Sequence, residues 1–360
     1  MERLETERAV SDRITKSTTL PVMLEDTVGE YPERQAQGYK GGIYDRSMAP
    51  VAIPTAPDGD YETLSYEELG SIVRRLAAGF RSLGVEPGDR VGIFGDTRLE
   101  WAQSDFAIMA AGGVVTTVYE SSSPEQVQYL LDDPGATGVV VENQALLERV
   151  LSVEDDLALE WIVSMDELDG SFADREDVLE LGDVFERGRD AFDRSTYDGW
   201  LEETDPGDLA SLVYTSGTTG QPKGVRLTHR NFRANVNQVH RRHGDRPDKH
   251  YSTPVIDRTT RTVSYLPLAH VFERLAGHFE IFAVGGTVCY AESPDTLKDD
   301  FALFEPTSAT SVPRVYEKMY EAIREEASES ATKQRIFEWA TDVAREYHES
   351  DRPTVEDNGT

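Results

Sequence analysis

Between Ser65 and Ser164 the chain alternates short apolar runs with amphipathic stretches, and that alternation leaves few architectures open. Ser65-Tyr66-Glu67-Glu68 has the spacing of a capping box, after which Leu69, Ile72, Val73, Leu76, Phe80 and Leu83 recur at helical spacing until Gly84. A turn, Glu86-Pro87-Gly88-Asp89, leads into a strand over Arg90–Phe94. Trp101–Ala111 reads as a helix, Val114–Val118 as a strand, Pro124–Asp132 as a helix capped by Ser123, and Gly138–Val141 as a strand. Gln144–Leu151 (helix) and Trp161–Ser164 (strand) extend the series. The expectation is an α/β fold: βαβ subdomains with mostly parallel sheets flanked by helices, and right-handed crossovers.

The same theme returns in the second half. Arg226–Thr228 reads as a strand, His229–His240 as a helix and Arg241–Thr260 as an exposed loop. Thr262–Leu266, Thr287–Ala291 and Thr307–Val312 read as strands, and His270–Phe282 and Thr296–Phe304 as helices. A long helix is expected from Pro313 towards Tyr347, with the proline at its first turn. The acidic passage Ser171–Asp205, with one surface helix near Val178–Arg187, is the candidate boundary between subdomains 60–205 and 206–347, with a solvated face of one domain as the alternative. Residues 1–60 read as a packed lead-in, helix-like at Leu20–Tyr31 and loop-like at Ala49–Asp60; residues 348–360 read as a disordered tail.

Chemistry concentrates in Tyr214–Val225, YTSGTTGQPKGV, directly after the strand-like run Leu209–Tyr214. Gly217, Gly220 and Gly224 let successive amides turn into one concavity, the kind of nest that holds phosphate oxygens. Thr215, Ser216, Thr218 and Thr219 add hydroxyls, and Lys223 adds a mobile point charge. It is not a Walker loop, because Pro222 precedes Lys223 and Gly224 follows it. Composition alone leaves a flexible hairpin turn equally open. The full string resembles the signature phosphate loop of the acyl-adenylate-forming (AMP-binding) superfamily, which includes acyl-CoA synthetases, luciferases and peptide-synthetase adenylation domains.

A second motif, Leu266–Arg274 (LPLAHVFER), falls at a strand-to-helix joint, where α/β sheets place ligands. Taken alone, His270 is more often a structural helix-start histidine than a ligand. The string resembles the second core motif of long-chain fatty-acid CoA ligases, and Val312–Lys318 and Gly84–Gly135 resemble further stretches of that group. In Val312–Lys318 a solvated helix start carrying Arg314, Glu317 and Lys318 stands level with substrate contact. Trp101, Phe106 and Tyr129 read as core.

The resemblance implies two half-reactions. A fatty-acid carboxylate attacks the α-phosphate of Mg-ATP to give acyl-adenylate and pyrophosphate, and the thiol of coenzyme A then displaces AMP. By the same resemblance, Thr215, Ser216, Gly217, Thr218, Thr219, Gly220 and Lys223 hold the nucleotide. Lys223 stabilises developing charge, Thr218 is a ligand for Mg2+, and His270 gates or orients the acyl carboxylate, which needs no general base at neutral pH.

By this resemblance the chain is expected to correspond to the N-terminal large domain of that fold, incomplete relative to it, without the family's later adenine, ribose and hinge motifs and its small C-terminal domain. As a whole polypeptide it is therefore expected to be a truncated or split enzyme that needs a separate C-terminal fragment. A non-catalytic module and a shorter-chain or aryl acid ligase are the alternatives.

Composition narrows partners and setting. The 67 acidic against 36 basic residues give a formal charge of -31, which argues against nucleic-acid or anionic-membrane binding. Cys289 is the single cysteine, so no intrachain disulfide or cysteine-rich metal site is available. Phe106–Val118, the most apolar stretch, is shorter than the ~20 residues that span a bilayer, and MERLETERAV has no apolar signal core. A cytoplasmic protein of a high-salt cell is the expectation, because salt screens the self-repulsion. Thermal melts should therefore show a higher transition in molar KCl than in dilute buffer; equal stability in dilute buffer contradicts the halophilic reading.

Overall fold

In the computed structural model, residues 18–49, 51–215, 221–244 and 255–350 are described. Thr19 and a first-turn proline start α1 (Leu20–Glu30), which leads to β1 (Gln35–Lys40) and β2 (Tyr61–Ser65). The capping box of Ser65 and Glu68 opens α2 (Tyr66–Ser82). Next come β3 (Arg90–Phe94), α3 (Leu99–Ala110), β4 (Val114–Val118), α4 (Pro124–Asp132), β5 (Ala136–Val141), α5 (Gln144–Leu151) and β6 (Trp161–Ser164). Then follow β7 (Val178–Glu180), α6 (Leu181–Ala191), α7 (Arg194–Glu203), β8 (Leu209–Thr215), β9 (Lys223–Thr228) and α8 (His229–His243). After β10 (Arg261–Ser264), a π-helical stretch, Glu273–Phe279, runs into α9 (Glu280–Ala283), followed by β11 (Thr287–Tyr290) and α10 (Leu297–Phe304). The chain divides into two units, one ending at Thr310 and one beginning at Ser311; α11 (Pro313–Ser328) and α12 (Ala331–Ser350) belong to the second.

The first unit is α/β, as the alternation predicts. A seven-stranded sheet runs in the order β7-β6-β5-β3-β4-β8-β9, parallel except for β9, which pairs antiparallel with β8. All five residues of β4 are buried, because helices cover both faces of a parallel sheet and leave no solvent side. A four-stranded sheet has the order β10-β11-β1-β2, with β2 antiparallel to β1. Helix α3 is buried along its whole length and supplies the polar link between the sheets: Gln103 Nε2 donates to Gln37 Oε1 (2.9 Å), and Gln37 Nε2 to the Tyr290 hydroxyl (2.8 Å).

Several expectations change. The lead-in before residue 60 contributes β1, central to the second sheet, and the acidic passage contributes β7 and two helices rather than one. The seven-stranded sheet is continuous across residues 205–206, since β8 pairs with β4. Thr307–Val312 forms no strand; a single bridge, Thr262 to Ser308, stands in its place. The long helix after Pro313 is two helices broken at Glu329 and Ser330, paired through the Tyr320 and Phe337 rings at 5.4 Å. Arg314, Glu317 and Lys318 are exposed, and so are Tyr316, Ile323, Ile336 and Trp339. The loop expected over Arg241–Thr260 falls partly outside the described residues: α8 continues through His243, and residues 245–254 are not described. The tail expected from residue 348 lies outside them beyond residue 350, and α12 extends to Ser350.

The α2–α6 contact depends on absent side chains. A Cβ on Gly79 would lie 2.1 Å from Val184 O, and one on Gly188 only 1.7 Å from Arg75 O. Backbone cannot yield as a side-chain tip can, so Gly188→Ala is expected to cost about 1–3 kcal/mol in urea unfolding; a cost below ~0.5 kcal/mol would show that the helices separate freely.

Candidate functional site

Strands β8 and β9 form the hairpin that carries the glycine-rich string. Thr215 pairs with Lys223 and Tyr214 with Gly224, so the last residue of one strand faces the first of the other. Thr215 and Lys223 are both exposed. Ser216, Gly217, Thr218, Thr219 and Gly220, all named from the sequence, lie outside the described residues. Because β8 runs parallel to β4, the hairpin opens at the carboxyl end of the parallel strands, where α/β sheets bind ligands.

The LPLAHVFER turn is fixed at that same end by two threonines. Thr97, just after β3, donates to Leu266 O (2.7 Å) and accepts from Leu268 N–H (2.8 Å). Thr117 of β4 donates to Ala269 O (3.0 Å), the carbonyl immediately before His270. The His270 side chain is exposed, and its Nδ1 accepts from Phe272 N–H (3.1 Å), so the neutral ring carries its proton on Nε2. His270 stands on a turn, and the helix expected from it starts one residue later and is π-helical over 273–279.

Behind the turn Arg274 is buried and makes a two-bond ion pair with Asp105 of α3, one bond being Nε to Oδ2 at 2.8 Å. Its Nη1 donates to Ser211 Oγ of β8 (2.6 Å), which in turn donates to Val115 O of β4 (2.7 Å). The motif is thus bonded to α3, β4 and β8 together. None of Thr97, Thr117, Asp105 or Ser211 was legible as a supporting residue. Their role depends on contacts more than 60 residues away in sequence, for which no local pattern exists.

A cleft of about 320 Å³ lies beside the hairpin, lined by Thr117, Tyr119, Gln126, Tyr129, Tyr214 and Pro222 among others. Trp101 and Phe106 are fully buried, as expected of core residues, whereas Tyr129 is half-buried and donates to Pro222 O (2.8 Å).

Comparison with known proteins now decides the family. The model described as AMP-binding enzyme matches residues 27–349. The chain belongs to that family. It is 36% identical over 337 residues to the long-chain-fatty-acid–CoA ligase FadD15 of Mycobacterium bovis, covering 90% of this chain and 50% of the relative. It is 35% identical over 297 residues to the long-chain-fatty-acid–CoA ligase ACSBG1 of Rattus norvegicus, covering 79% of this chain and 39% of that one. The chain spans about half the length of the first of these relatives and less of the second. Among solved structures, the adenylation domain of a carboxylate reductase from Mycobacterium chelonae superimposes with a TM-score of 0.70 at 26% identity, covering 90% of this chain and 50% of its own. The corresponding domain from Segniliparus rugosus, solved with AMP and a carboxylic acid, gives 0.72 at 21% identity over 91% of this chain and 55% of its own, which shows the shared fold.

Among the described residues no cluster of His, Cys, Asp or Glu could hold a metal ion, and no helix is long and apolar enough to cross a membrane.

The π-helix places one unusual acid next to the site. Glu273 is 1% exposed; its Oε1 accepts from Ser264 Oγ (2.7 Å), and its Oε2 has no partner among the described residues. Burial pushes this carboxyl up to about 8, whereas His278, 3.3 Å from the same serine oxygen, is pushed down to about 3 by burial and by Arg274. Both side chains are therefore neutral at pH 7. Folded protein binds the Glu273 proton more tightly than unfolded chain does, so this group makes stability fall as pH rises from its ordinary 4.5 towards 8. Glu273→Gln, which copies the protonated acid, should raise the melting temperature relative to wild type at about pH 8 and by much less at about pH 5. A gain that is equal at both pH values would place the native ionisation elsewhere.

Proposed function

We propose that this chain carries the nucleotide-phosphate and acyl-carboxylate part of a long-chain fatty-acid CoA ligase. The reading is supported by the LPLAHVFER turn, which is bonded to β4 and β8 so that His270 and the Thr215–Lys223 pair share the carboxyl end of one sheet. Family membership and long-chain ligase relatives at 36% and 35% identity supply the reaction class.

In this reading Thr215, Ser216, Gly217, Thr218, Thr219, Gly220 and Lys223 cradle the phosphates of ATP. The exposed Thr215 hydroxyl and Lys223 ammonium are donors of the kind phosphate oxygens require. A hard cation prefers oxygen, so the Thr218 hydroxyl would be the protein's ligand to Mg2+, which neutralises phosphate charge when bound. The His270 Nε2–H orients the acyl carboxylate. That carboxylate forms the new bond to the α-phosphorus as pyrophosphate departs, and Lys223 stabilises charge on the leaving oxygens. The thiol of coenzyme A then forms the thioester, with AMP leaving. Because the relatives are about twice as long, the share proposed for this chain is binding and positioning.

Calorimetry with MgATP should show binding by the wild-type chain and at least a ~10-fold loss on Lys223→Ala, the size of a charge-assisted contact. Unchanged circular dichroism would confirm the fold, and undiminished affinity would overturn the phosphate-loop reading. Palmitate should raise the melting temperature in the presence of ATP while acetate and benzoate do not. The reverse order would move the assignment to a shorter-chain or aryl ligase.

A further inference from the structure

The feature the proposed chemistry leaves unused is a pair of tyrosines against the hairpin. Tyr129, in α4, donates to Pro222 O at 2.8 Å, the carbonyl immediately before Lys223. Tyr214, next to last in β8, donates to Asp133 Oδ2 at 2.6 Å, and Asp133 caps the C-terminus of the same helix. The two rings stand edge to face, 6.0 Å apart at 78°. Opposite Tyr214 in the ladder, Gly224 brings its backbone against that ring: a Cβ there would sit 3.1 Å from it. The α4 region is therefore bonded to β8 and to the residue that leads into β9.

The helix is a firm support. Its N-terminus is closed by the capping box of Ser123 and Gln126, and Val127, Leu130 and Leu131 are buried in the core. Pro222, by contrast, has no N–H, so its carbonyl is its only main-chain hydrogen-bonding group. Tyr129 takes that group.

We propose that Tyr129 is a positioning residue that holds Pro222, and through it Lys223, in the register where the ammonium opposes Thr215 and meets a phosphate. The inference rests on the nucleotide reading of the hairpin. Without the phenol, the residue leading into β9 loses its tie to α4, and Lys223 must be ordered each time phosphate binds. The Tyr214 hydroxyl anchors the other strand, which the parallel ladder with β4 already fixes, so its contribution to Lys223 is smaller.

Tyr129→Phe keeps the ring and deletes one hydroxyl. The expected result is a rise of about fivefold in the dissociation constants of both MgATP and magnesium pyrophosphate, the loss of one hydrogen bond of about 1 kcal/mol. The same change in a Lys223→Gln background should have no further effect, since the phenol acts through the lysine. Wild-type affinity in Tyr129→Phe overturns the proposal, and so does an equal loss in both backgrounds, which would mark general loosening. Absence of MgATP binding by the wild-type chain overturns instead the phosphate-loop reading on which it rests.

Discussion

The buried ion pair between Arg274 and Asp105 is the interaction on which the site region depends. Arg274 comes from the π-helical stretch that follows β10, Asp105 from the middle of α3, and the remaining guanidinium bond goes to Ser211 in β8. Both charges are out of water, at 1% and 2% exposure, so each would be costly alone, and removing either partner strands the other. The pair adds little net stability over an apolar substitute, but it allows few arrangements. In the observed placement of the 266–274 segment against β4 and β8 both groups are satisfied, and His270 stands on the turn held there.

A second buried charge group lies among the residues that follow β3 and β6. Arg98, Glu100 and Asp166 are joined by ion pairs of 2.7 and 2.8 Å; Arg46 joins at Glu100, and Tyr44 lies 3.9 Å beneath the Arg98 guanidinium. Burial pushes the Glu100 carboxyl up, and the two arginines outweigh it and bring it down to about 2. The Tyr44–Ser47 segment is thereby tied to the residues after β3 and β6, with Ser47 N–H donating to Met165 O (3.1 Å). The chain is strongly acidic, but the buried Asp105 and Glu100 are paired with arginines, so the net charge says little about what holds these two groups.

The π-helical stretch explains the mixture of polar groups behind the turn. Glu273 and His278 are five residues apart, the spacing that a π-helix aligns on one side, and both reach Ser264. A Cβ at position 277 would lie 2.4 Å from Glu273 Oε1, so a larger residue there would make that carboxyl shift. An ordinary α-helix from the same residues would turn one of the two neutral side chains away from the serine.

Local order was legible wherever a short-range physical rule decides it. The capping boxes at Ser65 and Ser123, the apolar runs 90–94 and 114–118, and the first-turn proline at 313 each carry their signal within a few residues. The string 214–225 and the motif 266–274 pointed to the family by resemblance, and the family model matches residues 27–349. The sequence could not show that β1 joins a second sheet, that Thr307–Val312 makes only a single bridge to β10, or that the helix after His270 widens to π. Nor could it show that Tyr129, apolar in pattern, spends its hydroxyl on Pro222. Periodicity reports which face of an element is buried, and the partner met on that face is fixed only when distant segments pack. By itself, then, the sequence determined the βαβ alternation and the chemistry available at the hairpin. Tertiary packing alone decided that Thr97, Thr117 and Arg274 would bring His270 to that hairpin's end of the sheet, because each of those bonds joins residues far apart in the chain.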